Sequence, residues 1–213
     1  MVDAAPSAGA VKKQEFAVTG MDYVGPVVVG RKRSFRSTYA GQSEYTTEVV
    51  QVANLAGALL YTTRNTLGAE AQSFLSAEGL FTLASAGRTW KSTFPEPRRA
   101  LLFPPCPGLT WRGQWRTDDS SDRSVRNLVA AEKIENIGET VTVPAGAFAQ
   151  VLKIVANYEV TDTRDGRVTQ SFRTLMSEWW APGAGIVRSV EENLSGGGRW
   201  VTELVSQFVP SPP

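Results

Sequence analysis

From Ala147 onward apolar and polar residues alternate with a period of two. Leu152, Ile154, Ala156, Tyr158 and Val160 fall on one face, and Lys153, Asn157 and Glu159 on the other. That period belongs to a half-buried β-strand. Asp165-Gly166 then supplies the positive-φ residues of a tight hairpin, and Val168 to Trp180 returns as the partner strand. Ile186 to Leu194 predicts another strand, which turns at Gly196-Gly197-Gly198 and comes back as Trp200 to Val209. The C-terminal half therefore reads as an antiparallel meander.

In the first half, strands are predicted at Ser34 to Ala40, Tyr45 to Ala53, Ala58 to Leu67, Ala69 to Ser76 and Leu80 to Ala84, separated by turn-like residues. The stretch 48–61 is ambiguous. Val49, Val52, Ala53, Ala56, Leu59 and Leu60 have helical spacing, whereas the flanking Thr46-Thr47 and Thr62-Thr63 favour a hairpin. Residues 91–108 hold five prolines and predict a crossing loop between the two meanders, since proline cannot donate to a central ladder. The organisation expected is a flexible linker at 1–12 and one antiparallel β domain at 13–210, all-β, as a β-roll or open half barrel.

Two turns punctuate the second meander. In Val143-Pro144-Ala145-Gly146-Ala147-Phe148, Pro144 ends a strand, Gly146 permits a positive φ and Phe148 re-enters the core. In Glu178-Trp179-Trp180-Ala181-Pro182-Gly183-Ala184-Gly185-Ile186-Val187, successive tryptophans must point to opposite faces, so one of Trp179 and Trp180 faces away from the main core. Trp111 and Trp115, four apart in a strand, share a face. Trp111, Trp115, Trp179 and Trp180 are thus the candidate ligand-binding residues, lining an apolar curved sheet or, alternatively, filling it.

Composition narrows the chemistry. The chain has no histidine, which excludes Ser-His-Asp and Cys-His nucleophile activation and His-ligated zinc. Cys106 is the only cysteine and stands in a proline-rich turn, where a buried or half-buried filler is expected. The net charge of +1 provides no global field for nucleic acid or an anionic membrane. Arg31-Lys32-Arg33 with Arg36 is a short basic run that reads as a solvated strand start, more than as a phosphate patch. Asp118, Asp119 and Asp122 read as a polar strand connection in preference to a calcium loop. Glu191-Glu192 and Asp162 with Asp165 sit beside turns or strand ends, where a glycosidase pair is disfavoured. No catalytic residue, metal or cofactor is implied, and no apolar run has the length of a membrane-spanning helix.

The ordered motifs Pro107-Gly108-Leu109-Thr110-Trp111, Val143 to Phe148 and Glu178 to Val187 resemble those of a family of uncharacterised exported bacterial β proteins, many of them predicted lipoproteins, of DUF3108-like type. The resemblance covers residues 75–208. It implies an antiparallel β-roll or open barrel, export to the periplasm or cell surface, lipid anchoring of the native precursor, and no assigned catalysis. The expected function is a non-catalytic envelope protein binding an apolar ligand such as a lipid. The alternatives are an interaction module docking an envelope protein partner and, weaker, a carboxylate-based hydrolase.

Overall fold

The computed structural model describes residues 18–39 and 43–211, so the linker expected at 1–12 lies outside the described residues. A 3₁₀ turn, Gly20–Tyr23, precedes β1 (Lys32–Ser37), β2 (Ser43–Leu55), β3 (Ala58–Asn65), β4 (Glu70–Ser76), β5 (Gly79–Ala86), β6 (Trp90–Thr93) and β7 (Arg98–Leu102). Then follow β8 (Thr110–Asp119), β9 (Ser124–Val143), β10 (Gly146–Arg164), β11 (Arg167–Ala181), β12 (Gly185–Asn193) and β13 (Arg199–Phe208). The strands expected from the alternation are present as β1 to β5 and β10 to β13, and β6, β7, β8 and most of β9 add to them. The 48–61 stretch is a hairpin turning at Ala56-Gly57, both with positive φ, as are Asp165 and Gly166 at the next such turn.

β1 to β5 form one antiparallel meander and β8 to β13 the other, joined at β1–β13 and, through β6, between β5 and β8. β5 also pairs with β4 along its whole length. The order β4-β3-β2-β1-β13-β12-β11-β10-β9-β8-β6-β5 therefore returns to its start, a closed ring of twelve strands. The expected roll or open half barrel is corrected to a closed barrel. Alternation states which face of a strand is buried and nothing about which edges meet, whereas unpaired edge N–H and C=O groups favour closure.

The prolines at 91–108 do interrupt the ladder, but the segment also contains two short strands. β6 and β7 dock on the same edge of β5, β6 against Ser85 and Ala86 and β7 against Gly79 to Thr82. Pro95 and Pro97 fall between them, and Pro104, Pro105 and Pro107 after them, so no proline has to donate within a ladder.

The main core gathers Tyr23, Val49, Leu75, Leu80, Leu101, Trp111, Ile134, Leu152, Ile154 and Trp180 inside the barrel. A smaller cluster holds Ala130, Ala156, Tyr158 and Val160, with Trp115 and Phe172 packed against it. β9 and β10 are bulged at Lys153/Ile154 and between Phe148 and Leu152, and the tip of their hairpin reaches β13, where the Ala145 N–H donates to the Leu204 carbonyl at 3.0 Å. Under that tip a third cluster buries Phe35, Val141, Val143, Val151, Val187 and Leu204. The outer face carries cross-strand ion pairs such as Arg36–Glu44 and Arg199–Glu192, whereas Arg126–Asp162 continues the inward series of β9 and β10 beside Phe172. No helix among the described residues is long and apolar enough to cross a membrane.

Candidate functional site

Charged side chains enter the barrel because alternation puts them on the inward face. On β9, Glu132 lies between Ala130 and Ile134 and is 4% exposed. Its Oε2 accepts from Trp111 Nε1 at 3.0 Å, and its Oε1 lies 3.6 Å from the Arg98 guanidinium of β7. Arg98 also donates to the Tyr158 hydroxyl at 3.1 Å and stacks on Trp115, 4.7 Å from the ring centre. Glu178 of β11 accepts from Trp180 Nε1 at 3.1 Å. Burial pushes the Glu132 carboxyl up to about 7, against the opposing pull of Arg98. Burial raises Glu178 and Tyr158 likewise. For Arg98 burial acts downward, but Tyr158, Glu132 and Glu178 outweigh it and hold the group protonated.

A second cationic group faces the same interior. Arg31 is 4% exposed and donates through Nη1 to the carbonyls of Val24 and Pro26 and through Nη2 to those of Ala184 and Gly183. It ties the 24–26 loop to the Pro182-Gly183-Ala184 turn. Gly25 is required there, because at its φ of +69 an added Cβ would lie 2.6 Å from the Gly183 carbonyl. Arg33 makes one long bond, 3.4 Å to the Ala184 carbonyl. Burial lowers Arg31 to about 10 with Arg33 adding to the effect, and burial lowers Arg33, opposed by Tyr61 and Tyr45. Arg33, Arg98, Tyr61, Glu178 and Trp180 line an interior cavity of about 200 Å³.

The basic run is therefore divided by pleat. Lys32 and Arg36 point outward to Glu48 and Glu44, as a solvated strand start requires, but Arg31 and Arg33 point inward, which corrects the solvated reading for those two. The signal was present in the period-two series Arg31, Arg33, Phe35, Ser37. Cys106 is a free and exposed thiol, correcting the expectation of a buried filler, because the surrounding prolines hold the turn at the surface. Asp118 and Asp122 pair with Arg116 and Arg164, as in a polar strand connection. Asp162 and Glu192 pair separately with Arg126 and Arg199.

The four candidate tryptophans separate. Trp111 and Trp115 share the inward face of β8, yet Trp111 is buried with its indole N–H donating to both Arg99 O and Glu132, and Trp115 packs edge-on against Tyr158. Trp180 lines the interior cavity. Trp179 is the outward member of its pair. It is half-buried, covered by Lys153 and Arg188, and donates to Glu139 at 3.3 Å. Arg33, Arg98, Glu132 and Glu178 were missed because a single charged residue in an apolar alternation looks like any other polar position.

Two further concavities lie in the wall and at one end. β7 and β8 run side by side without pairing, since β8 takes β6 on that edge, and Trp111 Nε1 bridges the slit to Arg99 O. Arg98, Arg99, Arg112, Gly113 and Val129 line an outer pocket of about 320 Å³ over this slit. At the barrel end Val18, Met21, Tyr23, Phe103, Pro105 and Ile137 line a groove of about 730 Å³.

A closed antiparallel β-barrel with an apolar core, a charged cluster beside it and an apolar end groove is the class these features define. Its fold is similar to that of a predicted exported protein of Bacteroides fragilis with a YmcC-like fold, at 15% identity and a TM-score of 0.64, covering 87% of this chain and 99% of that one. A predicted lipoprotein of Parabacteroides distasonis is similar at 14% identity and a TM-score of 0.60, covering 86% and 97%. No family model matches the chain and no curated protein matches it, so the narrower DUF3108-like resemblance rests on its motifs alone.

Proposed function

We propose that this chain is a non-catalytic protein of the cell envelope, exported to the periplasm or cell surface, that holds an apolar ligand such as a lipid in the groove at the end of its barrel. The observation that carries this is the groove of about 730 Å³ with its lining of Val18, Met21, Tyr23, Phe103 and Ile137. That volume lies in the range of sites that enclose small organic ligands, whereas the interior cavity of about 200 Å³ is below it. Both similar structures come from proteins described as exported or as lipoproteins, which supports the location.

The alternatives are less well supported. Glu132 and Glu178 are each engaged by an indole N–H, which suits a structural network more than a carboxylate pair awaiting substrate. Trp179, the outward member of its pair, is already covered by Lys153 and Arg188. Native mass spectrometry of protein purified without detergent, before and after organic extraction, tests the proposal. A lipid-sized adduct is expected on the wild type and is expected to be lost in Met21→Glu, which places a charge in the groove at a residue 44% exposed. A clean apo mass combined with no uptake of added fatty acid sinks it.

A further inference from the structure

Arg33 on β1 and Arg31, the residue just before that strand, stand two apart with both guanidinium groups turned inward. Among the described residues no carboxylate lies within ion-pair distance of either. The titratable groups that face Arg33 are the phenols of Tyr61 and Tyr45, and those that face Arg31 are Arg33 and Tyr61; burial raises both phenols, so neither supplies a negative charge near neutral pH. The acids lining the cavity are otherwise engaged: Glu48 reaches Lys32 and Glu178 takes the Trp180 N–H. Buried charges are normally paired, because leaving one unpaired in a protein interior is strongly unfavourable. Here Arg31 satisfies itself on four backbone carbonyls but leaves Nε without an acceptor, and Arg33 has one long bond and faces open volume.

A gap in the wall lies opposite, where β7 and β8 do not pair. Arg98 lines both the interior cavity and the outer pocket over the β7–β8 slit, and Arg99 and Arg112 line that pocket with it. Its Nε also lacks an acceptor. Glu132 faces Arg98 and Glu96 faces Arg99, yet with Arg112 outside and Arg33 and Arg31 inside the cationic groups outnumber the acids along this line, which favours an anion. The cavity volume of about 200 Å³ equals that of about six or seven waters at about 30 Å³ each, which excludes an acyl chain and admits a compact ion.

We propose that the interior cavity is a binding site for a compact oxyanion, a small carboxylate or an inorganic oxyanion, held by Arg33 and reached through the β7–β8 slit past Arg98. The guanidinium offers a planar pair of donors that matches such a group. This site is separate from the end groove, so the failure of either proposal leaves the other standing.

The test follows the melting temperature of the wild type, Arg33→Gln and Arg36→Gln in sodium acetate or sodium phosphate, with ionic strength held constant by sodium chloride. A ligand bound only by the folded state raises Tm with its concentration. The rise expected for the wild type and for Arg36→Gln, whose substituted side chain lies on the outer face, is about 5–10 °C at a hundred times Kd. Arg33→Gln is expected to show none. A response to acetate alone identifies a carboxylate site, and to phosphate alone an inorganic oxyanion site. If Arg33→Gln does not fold, the wild-type curves decide, because a rise equal for both salts and never saturating overturns the site. An equal rise in Arg33→Gln, or no rise in the wild type, overturns it as well. The route is tested by Gly113→Val, where an added Cβ has open space, its nearest neighbour being 4.0 Å away. Stopped-flow tryptophan fluorescence should show slower association with the same saturating Tm, and an unchanged rate overturns the slit as the entrance.

Discussion

At the residue scale, the inward charges carry consequences that can be measured. Glu132 is held up to about 7 against an ordinary value of 4.5 by burial, so the folded state binds a proton that the unfolded state has released between those values. Stability from this group is complete below pH 4.5 and is lost as the pH rises through about 7. Glu132→Gln removes the titration while keeping an acceptor for the Trp111 N–H. Urea denaturation at pH 5 and pH 8 should show the variant gaining on the wild type at the higher pH, by about 1–3 kcal/mol. An identical difference at the two pH values contradicts the assignment. The inward arginines Arg31 and Arg33, just before and within β1, illustrate what a sequence does and does not disclose about such groups. Alternation places Arg31 and Arg33 on the face of Phe35, but only the position of β1 between β2 and β13 makes that face the barrel interior.

At the element scale, β5 and β6 complete the ring, β7 docks beside β6 on β5, and the approach of β7 depends on one glycine. Gly79 opens β5 with a φ of +153 and sits where an added Cβ would be 2.3 Å from the Leu101 carbonyl of β7. Gly79→Ala must therefore move β7 away from β5 or strain the backbone. A loss of about 1–3 kcal/mol is expected in chemical denaturation, against a small change for Gly196→Ala in an open turn. The longer elements behave differently. β10 is paired on both edges over almost its whole length, by β9 and β11, and the Asp165-Gly166 turn sets their register locally. That hairpin was readable because its alternation and its turn chemistry agree. β6 and β7 were not, since four or five residues among prolines carry too little pattern to separate a strand from a loop.

At the scale of the whole molecule, the closed ring is continuous except where β7 and β8 lie side by side unpaired. Amides facing that slit lack a ladder partner, whereas those of β9 to β11 are covered on both sides. Hydrogen exchange should therefore be faster in peptides spanning 98–102 and 110–113 than in 150–160. Equal protection of the two regions would mean that the slit is closed in solution and would remove the proposed entrance as well.

The chain by itself determined the antiparallel all-β class, the positions of β1 to β5 and β10 to β13, the turns at Pro144 and Pro182 and the opposite facing of Trp179 and Trp180. Each of these rests on local physics: period-two alternation, turn residues with positive φ, and the donor missing from proline. Only the tertiary structure decided that β4 meets β5, that Glu132, Glu178, Arg33 and Arg98 share one interior, and that the apolar groove forms between the 3₁₀ turn, Phe103 and Ile137. Those juxtapositions join residues far apart in the chain through strand edges and bulges, and an edge leaves no mark on the pattern of polar and apolar side chains, which records faces alone.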